Sequence, residues 1–166
     1  MSEQNERKGP DHFEQHPHPR PSFLEKEFNK IKIVLVGNPN VGKSLIFNEL
    51  SGMNAEVSNY PGTTIEITKG RYMNHEVYDT PGIYGVSSFN DEEKVARDVI
   101  LQADSVINVV DGVHLERDLF LTQQLIDMGK KIIVLVNFMD EVKKHRISIS
   151  FERLSNFLGV EVIPVA

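Results

Sequence analysis

A chain of 166 residues with 18 Lys and Arg against 24 Asp and Glu carries a net charge of −6, which argues against nonspecific binding to nucleic acid or to anionic lipid. Its length suits one domain with a real core, and a composition of 40% hydrophobic and 25% charged residues describes a globular chain. The absence of cysteine excludes disulfides, thiol catalysis and cysteine metal sites. No apolar run approaches the roughly 20 residues that span a bilayer, and the polar start is no secretory signal.

Residues 1–29 are poor in aliphatics and carry Pro10, Pro17, Pro19 and Pro21, so a disordered polar tail is expected. Its His12, His16 and His18 read as solvated side chains rather than a metal site, because a flexible segment must first be ordered. Ile31–Val36 then reads as a buried strand. It runs into Gly37-Asn38-Pro39-Asn40-Val41-Gly42-Lys43-Ser44, which fits G-x-x-x-x-G-K-[ST] without mismatch. Lys43–Leu50 reads as the helix that follows. A strand, a tight turn and a helix N-terminus aim successive backbone N–H groups at one point, which suits a polyphosphate. Lys43 would reach the β- and γ-phosphates, and the Ser44 hydroxyl would ligate Mg²⁺.

Residues 52–63 read as a mobile loop, with Gly52, Pro61 and Gly62. Thr63 and Thr64 are the candidates for a hydroxyl that reaches Mg²⁺ only with the γ-phosphate bound; Thr64 is favoured because it directly precedes the next strand. Ile65–Tyr72 and His75–Tyr78 read as a hairpin turning near Met73-Asn74, which would make one strand antiparallel. Asp79-Thr80-Pro81-Gly82 closes the second of these strands. Asp79 can hold Mg²⁺ directly or through a water, and the Gly82 N–H can sense a γ-phosphate. Where Ras-like GTPases place a water-orienting glutamine, this chain has Ile83, so slow intrinsic hydrolysis is expected. Asn40 could ligate a monovalent cation between the β- and γ-phosphates or could simply form the turn; the residues leave both open.

Asp91–Gln102 has helical periodicity, Ser105–Val110 reads as a strand, and Leu115–Met128 as a helix. Lys131–Val136 is a nearly all-aliphatic strand, and Asn137-Phe138-Met139-Asp140 follows it. A carboxylate at Asp140 can accept hydrogen bonds from the N1–H and 2-amino group of guanine, a pair that adenine cannot offer. Asn137 would position the base and brace the phosphate loop; a helix N-cap at Asn137 or Asp140 is the bland alternative. Phe151–Leu158 reads as helix and Val160–Val165 as the last strand. Continuous aliphatic strands alternating with amphipathic helices imply an α/β fold, a mostly parallel six-stranded sheet with one antiparallel strand and helices on both faces. Gly37, Asp79, Asp111 and Asn137 all fall at carboxyl ends of strands, where such sheets bind ligands.

Together the phosphate loop, Asp79–Gly82 and Asn137–Asp140 resemble the Ras-like P-loop GTPases. The stretches Asn59–Glu66, Asp79–Tyr84, Asp91–Asp98, Asp111–Leu119 and Asn137–Glu141 resemble, more closely, the G domain of the bacterial ferrous iron transporter B family, over residues 31–166. The resemblance implies a GTP-binding, GTP-hydrolysing domain on the cytoplasmic face of the inner membrane, part of an Fe²⁺ uptake transporter. Its nucleotide contacts would be Asn38, Asn40, Val41, Gly42, Lys43, Ser44, Leu45, Thr63, Thr64, Asp79, Gly82, Asn137, Met139 and Asp140. Ser44, Thr64 and Asp79 would hold Mg²⁺, Asn40 would bind K⁺, and Lys43, Thr64, Gly82 and Asn40 would carry catalysis. Helical and transmembrane domains, and self-association through the full-length transporter, are the implied partners. The chain stops at Val165-Ala166, about where a guanine-contacting loop would begin, so the resemblance implies a fragment. The family usually has D-L-P-G where this chain has Thr80, and often serine where Gly85 stands. A soluble ribosome- or RNA-associated GTPase shares the generic motifs, but the charge and the absence of an RNA-binding domain count against it. A third reading is a nucleotide-binding interaction module that hydrolyses GTP too slowly to be called an enzyme.

Overall fold

The computed structural model describes residues 30–87 and 89–166; the expected tail over 1–29, with its three histidines, lies outside the described residues. Strand β1 (Lys32–Gly37) leads through the phosphate loop into α1 (Lys43–Ser51). Strands β2 (Glu56–Asn59), β3 (Glu66–Tyr72) and β4 (His75–Asp79) follow. Then come α2 (Asp91–Gln102), β5 (Ser105–Asp111), α3 (Leu115–Asp127), β6 (Lys131–Asn137), α4 (Met139–Lys144), α5 (Phe151–Leu158) and β7 (Glu161–Pro164).

The sheet order is β2-β3-β4-β1-β5-β6-β7, so the sheet has seven strands where the sequence suggests six. The addition is β2, four exposed residues paired antiparallel to β3 inside the expected loop. Glu56-Val57-Ser58-Asn59 has no buried face, so hydrophobic alternation does not reveal it; its order comes from the backbone ladder. β3 pairs antiparallel with both β2 and β4, and every other pairing is parallel, so β3 alone runs against the rest.

The pleat sends alternate residues to opposite faces. Val34, Val36, Val106, Val110, Val134 and Val136 pack with Val95, Ala96, Val99 and Ile100 of α2, Leu121 and Leu125 of α3, and Leu158 of α5. On the other face Leu35 and Val77 pack with Phe47 of α1. Helices therefore cover both faces, as a parallel sheet requires. α2 opens on Asn90, whose side chain accepts from Glu93 N at 2.7 Å, and its first turn is acidic, which suits the positive helix end. Parallel register sets Leu35 opposite Asp79, Gly37 opposite Val109 and Asp111 opposite Asn137. The strand ends that carry the motifs thus meet along one edge.

Candidate functional site at the carboxyl edge of the sheet

The phosphate loop starts where β1 leaves the core. Gly42 adopts φ 85°, a left-handed conformation that disfavours a side chain, and an added Cβ would collide with the Asn137 amide. Asn40 also has positive φ, 64°, which asparagine tolerates better than most residues. That geometry fits the turn-forming role and leaves its exposed side chain available to a ligand. The Asn137 Nδ2 donates to Val41 O at 3.0 Å. Asn137 does not cap the next helix. α4 instead begins after Phe138, which has φ 61° and no side-chain cap, and Asp140 stands exposed in its first turn with Met139 beside it. This six-residue helix falls inside and just beyond the N-x-x-D motif and has no apolar periodicity to announce it.

Lys43 is buried, and its ammonium bonds the Asp79 carboxylate and the Thr80 carbonyl. The Ser44 hydroxyl donates to the other Asp79 oxygen at 2.7 Å. Two motif residues thus converge on one carboxylate. Thr64 lines the same cleft, of about 490 Å³, with Lys43, Ser44, Asp79 and Gly82. An adjoining cleft of about 520 Å³ is bounded by Asn38, Asn40, Gly42, Leu45 and Gly82. Thr63 and Thr64 divide in role. The Thr63 hydroxyl donates to Tyr60 O at 2.9 Å and accepts from Ile65 N at 3.2 Å, so it is spent on the turn. Thr64 is the exposed hydroxyl at the cleft. Val41 is buried, so only its backbone is open to a ligand, and its carbonyl accepts from Asn137.

Gly82 packs against the loop so closely that a Cβ there would sit 2.8 Å from Pro39 Cα. The next amide, Ile83 N, donates to Gly37 O at 3.0 Å, and the Ile83 side chain is buried in the core. Ile83 therefore points away from any water at the cleft. The Thr80 hydroxyl donates to Leu35 O at 2.8 Å, ties β4 to β1, and gives this position a structural use for threonine. A Cβ at Gly85 would meet Gln124 Oε1 at 3.0 Å, while that same oxygen accepts from Val86 N, so a serine at this position would crowd the contact.

Glu92 and Glu93 lie outside the nucleotide motifs, and Glu92 alone of the two lines the cleft. Glu92 lines both cleft regions from the first turn of α2. Its neighbour Glu93, buried, accepts from Ser87 Oγ at 2.9 Å and Phe89 N at 3.2 Å, and so anchors the segment after Gly82. An acidic first turn reads from sequence as a complement to the helix dipole, which hides both roles.

The donor chemistry fits Mg²⁺. Ser44 and Asp79 supply hard oxygens, and Mg²⁺ uses one or two carboxylates plus substrate phosphates rather than an all-protein cage. No group of three His, Cys, Asp or Glu able to hold a metal occurs among the described residues. A larger groove of about 830 Å³ lies between the start of α3 and the start of α5, away from the phosphate loop. No residue of the phosphate loop, of Asp79–Gly82 or of Asn137–Asp140 lines it, so the smaller cleft is the candidate site. Among the described residues no helix is long and apolar enough to cross a membrane.

Known proteins show the same frame. A family profile described as ferrous iron transport protein B matches residues 31–166. The Fe(2+) transporter FeoB of Legionella pneumophila is 43% identical over 144 residues, 80% of this chain and 19% of that protein. That of Helicobacter pylori is 41% identical over 143 residues, 82% of this chain and 22% of that protein. The chain therefore spans about a fifth of the length of these curated relatives. A GDP-bound mutant of the S. thermophilus FeoB G-domain superposes with a TM-score of 0.79 at 43% identity, over 81% of this chain and 54% of that one. The FeoB G-domain from Methanococcus jannaschii gives 0.69 at 38% identity, over 82% and 86%. A match along the whole described fold, at identities far above those that show shape alone, means that this chain belongs to the ferrous iron transport protein B family.

Proposed function

We propose that this chain binds GTP and hydrolyses it to GDP and phosphate, as the cytoplasmic regulatory domain of a ferrous iron transporter in the bacterial inner membrane. One observation carries the reading: Lys43, Ser44 and Asp79 converge in one cleft, with Thr64 on its wall and Asn137 bonded to the phosphate loop. Family membership adds the GDP-bound relatives and the transporter context.

The residues divide the work. Lys43 exchanges its bonds to Asp79 and Thr80 for the β- and γ-phosphates, and this frees the carboxylate. Ser44, Asp79 and Thr64 would hold Mg²⁺, and the bound ion would supply positive charge beside the phosphates. Gly82 presents its N–H to the γ-phosphate, and the loop after it follows. Asp140 selects guanine, with Asn137 bracing the loop and Met139 beside the base. Because Ile83 is buried, no side chain at that position orients water, so the intrinsic rate is slow. Asn40 would hold a K⁺ ion between the β- and γ-phosphates, where it would supply positive charge. The helical and transmembrane domains of the full-length protein receive the signal, and that protein self-associates.

The test is GTP turnover at fixed ionic strength with Mg²⁺, in KCl against NaCl, with ATP as control. GTP-selective turnover stimulated by KCl is expected. Equal turnover of ATP would refute the guanine site, and equal rates in both salts would refute the K⁺ assignment.

A further inference from the structure

Asp118 belongs to none of the nucleotide motifs, yet its carboxylate is the most fully enclosed acidic group near the phosphate loop, with 1% of the residue exposed. It stands in the first turn of α3. Three donors from three places reach it. Asn38 Nδ2 of the phosphate loop and Arg117 Nε each donate to Oδ1 at 2.8 Å. The Asp111 backbone N–H, at the end of β5, donates to Oδ2 at 2.8 Å. A carboxylate so far from water is stable only when such charge-assisted bonds replace its hydration.

The contact fixes Asn38 in one sense. An ionised carboxylate only accepts, so the amide nitrogen must face it and the Asn38 oxygen must face away. Asn38 is itself buried, and that oxygen meets no donor among the described residues. An amide with a buried idle acceptor has an incentive to flip unless its nitrogen is held firmly. On the other side of the same turn, Gly82 presses on Pro39 and Ile83 N bonds Gly37 O. The Asn38-Pro39-Asn40 turn is thus gripped between α3 and the segment that follows β4.

We propose that Asp118 is a positioning residue for the phosphate loop, acting through Asn38 to hold the turn in its phosphate-receiving shape. The ligand in this proposal rests on the nucleotide reading above; the geometry does not.

The experiment uses the full chain and calorimetric titration with Mg²⁺-pyrophosphate and with GDP, beside thermal midpoints. Asp118→Ala should weaken both ligands about tenfold, the scale of a lost charge-assisted hydrogen bond. Asn38→Ala should do the same, and the double variant should be no weaker than either alone. Asp118→Asn should lose less affinity, because its remaining oxygen can still accept from Asn38, while its amide nitrogen, a donor, leaves the Asp111 N–H without an acceptor and lowers the thermal midpoint. If Asp118→Ala does not fold, Asp118→Ser, which keeps a hydroxyl for the Asp111 amide, takes its place. A lower thermal midpoint with unchanged affinity of the folded protein would mean a structural role only and would overturn the proposal. Additive losses in the double variant would also overturn it, since Asp118 would then not act through Asn38. A parent that binds pyrophosphate but not GDP would sink the guanine reading while these comparisons still decide the positioning role.

Discussion

Asn137→Ala tests whether β6 braces the phosphate loop. The side chain is buried and donates to Val41 O at 3.0 Å, and Val41 is buried as well. Removing the donor strands a carbonyl that water does not reach, at a cost of about 1–3 kcal/mol. The Asn137 amide also forms the wall against which Gly42 packs, so the void adds to the loss. A total near 2 kcal/mol corresponds to a drop in thermal midpoint of about 5–10 °C for a domain of this size. The same loosening acts on the loop that receives phosphate, so GDP affinity should fall about tenfold or more. Asn137→Asp separates the bond from the volume. It preserves size but sets an acceptor against the Val41 carbonyl, so it should be at least as destabilising as alanine. Calorimetric melting and GDP titration of both variants are the assays. A midpoint within 1–2 °C of the parent in both, with GDP affinity within about twofold, would refute the brace, because a buried donor lost without consequence contradicts the cost of an unpaired carbonyl.

Further outcomes bear on the rest of the site. Asp140→Asn should shift preference from GTP toward xanthosine triphosphate, read by competition titration; unchanged selectivity would remove Asp140 from base recognition. Asn40→Ala should abolish stimulation by KCl and leave GDP binding within about threefold; stimulation that survives would mean the φ 64° turn is the whole role of this residue. Gly82→Ala should impair turnover more than GDP binding, since its Cβ would strike Pro39 and displace the segment after β4; equal turnover would show that the contact yields freely. Away from the cleft, the hydrogen bond from Lys69 holds the Glu76 carboxyl down at about 2, with Lys30 and Tyr78 assisting. A folded pKa below the unfolded one contributes stability that is present above pH 4.5 and lost as pH falls toward 2. Solvent screening at Lys69 and Lys30 limits this to about 1 kcal/mol. Urea unfolding at neutral and acid pH should therefore show a shallower acid loss in Glu76→Gln; identical slopes would exclude the pair as a source of acid sensitivity.

The parts of this molecule that could be read from sequence are those whose physics is local. The turn from β1 into α1 must expose backbone N–H groups, and only glycine at position 42 accepts φ 85° there, so the phosphate loop declares itself in eight residues. The aliphatic runs of β1, β5 and β6 declare a sheet buried on both faces, and the residue that ends each run, Gly37, Asp111 or Asn137, then has one place to be. What stayed hidden depends on partners far along the chain. β2 has four exposed residues and exists because β3 offers a free edge, a property of β3 rather than of Glu56–Asn59. α4 is too short for periodicity and is set by the left-handed turn at Phe138. Position before the strand favours Thr64 over Thr63 in the sequence, but the physical reason, that the Thr63 hydroxyl is bonded to Tyr60 and Ile65, appears only in the fold. Asp118 reads as an ordinary acidic residue in a helix's first turn, which favours a carboxylate whether or not it has other work. Only the fold brings it to Asn38, 80 residues away. The same reasoning says where variation among relatives should alter behaviour without touching a motif: at the buried polar contacts behind the loop, where one side chain fixes the conformation of another and no short pattern records it.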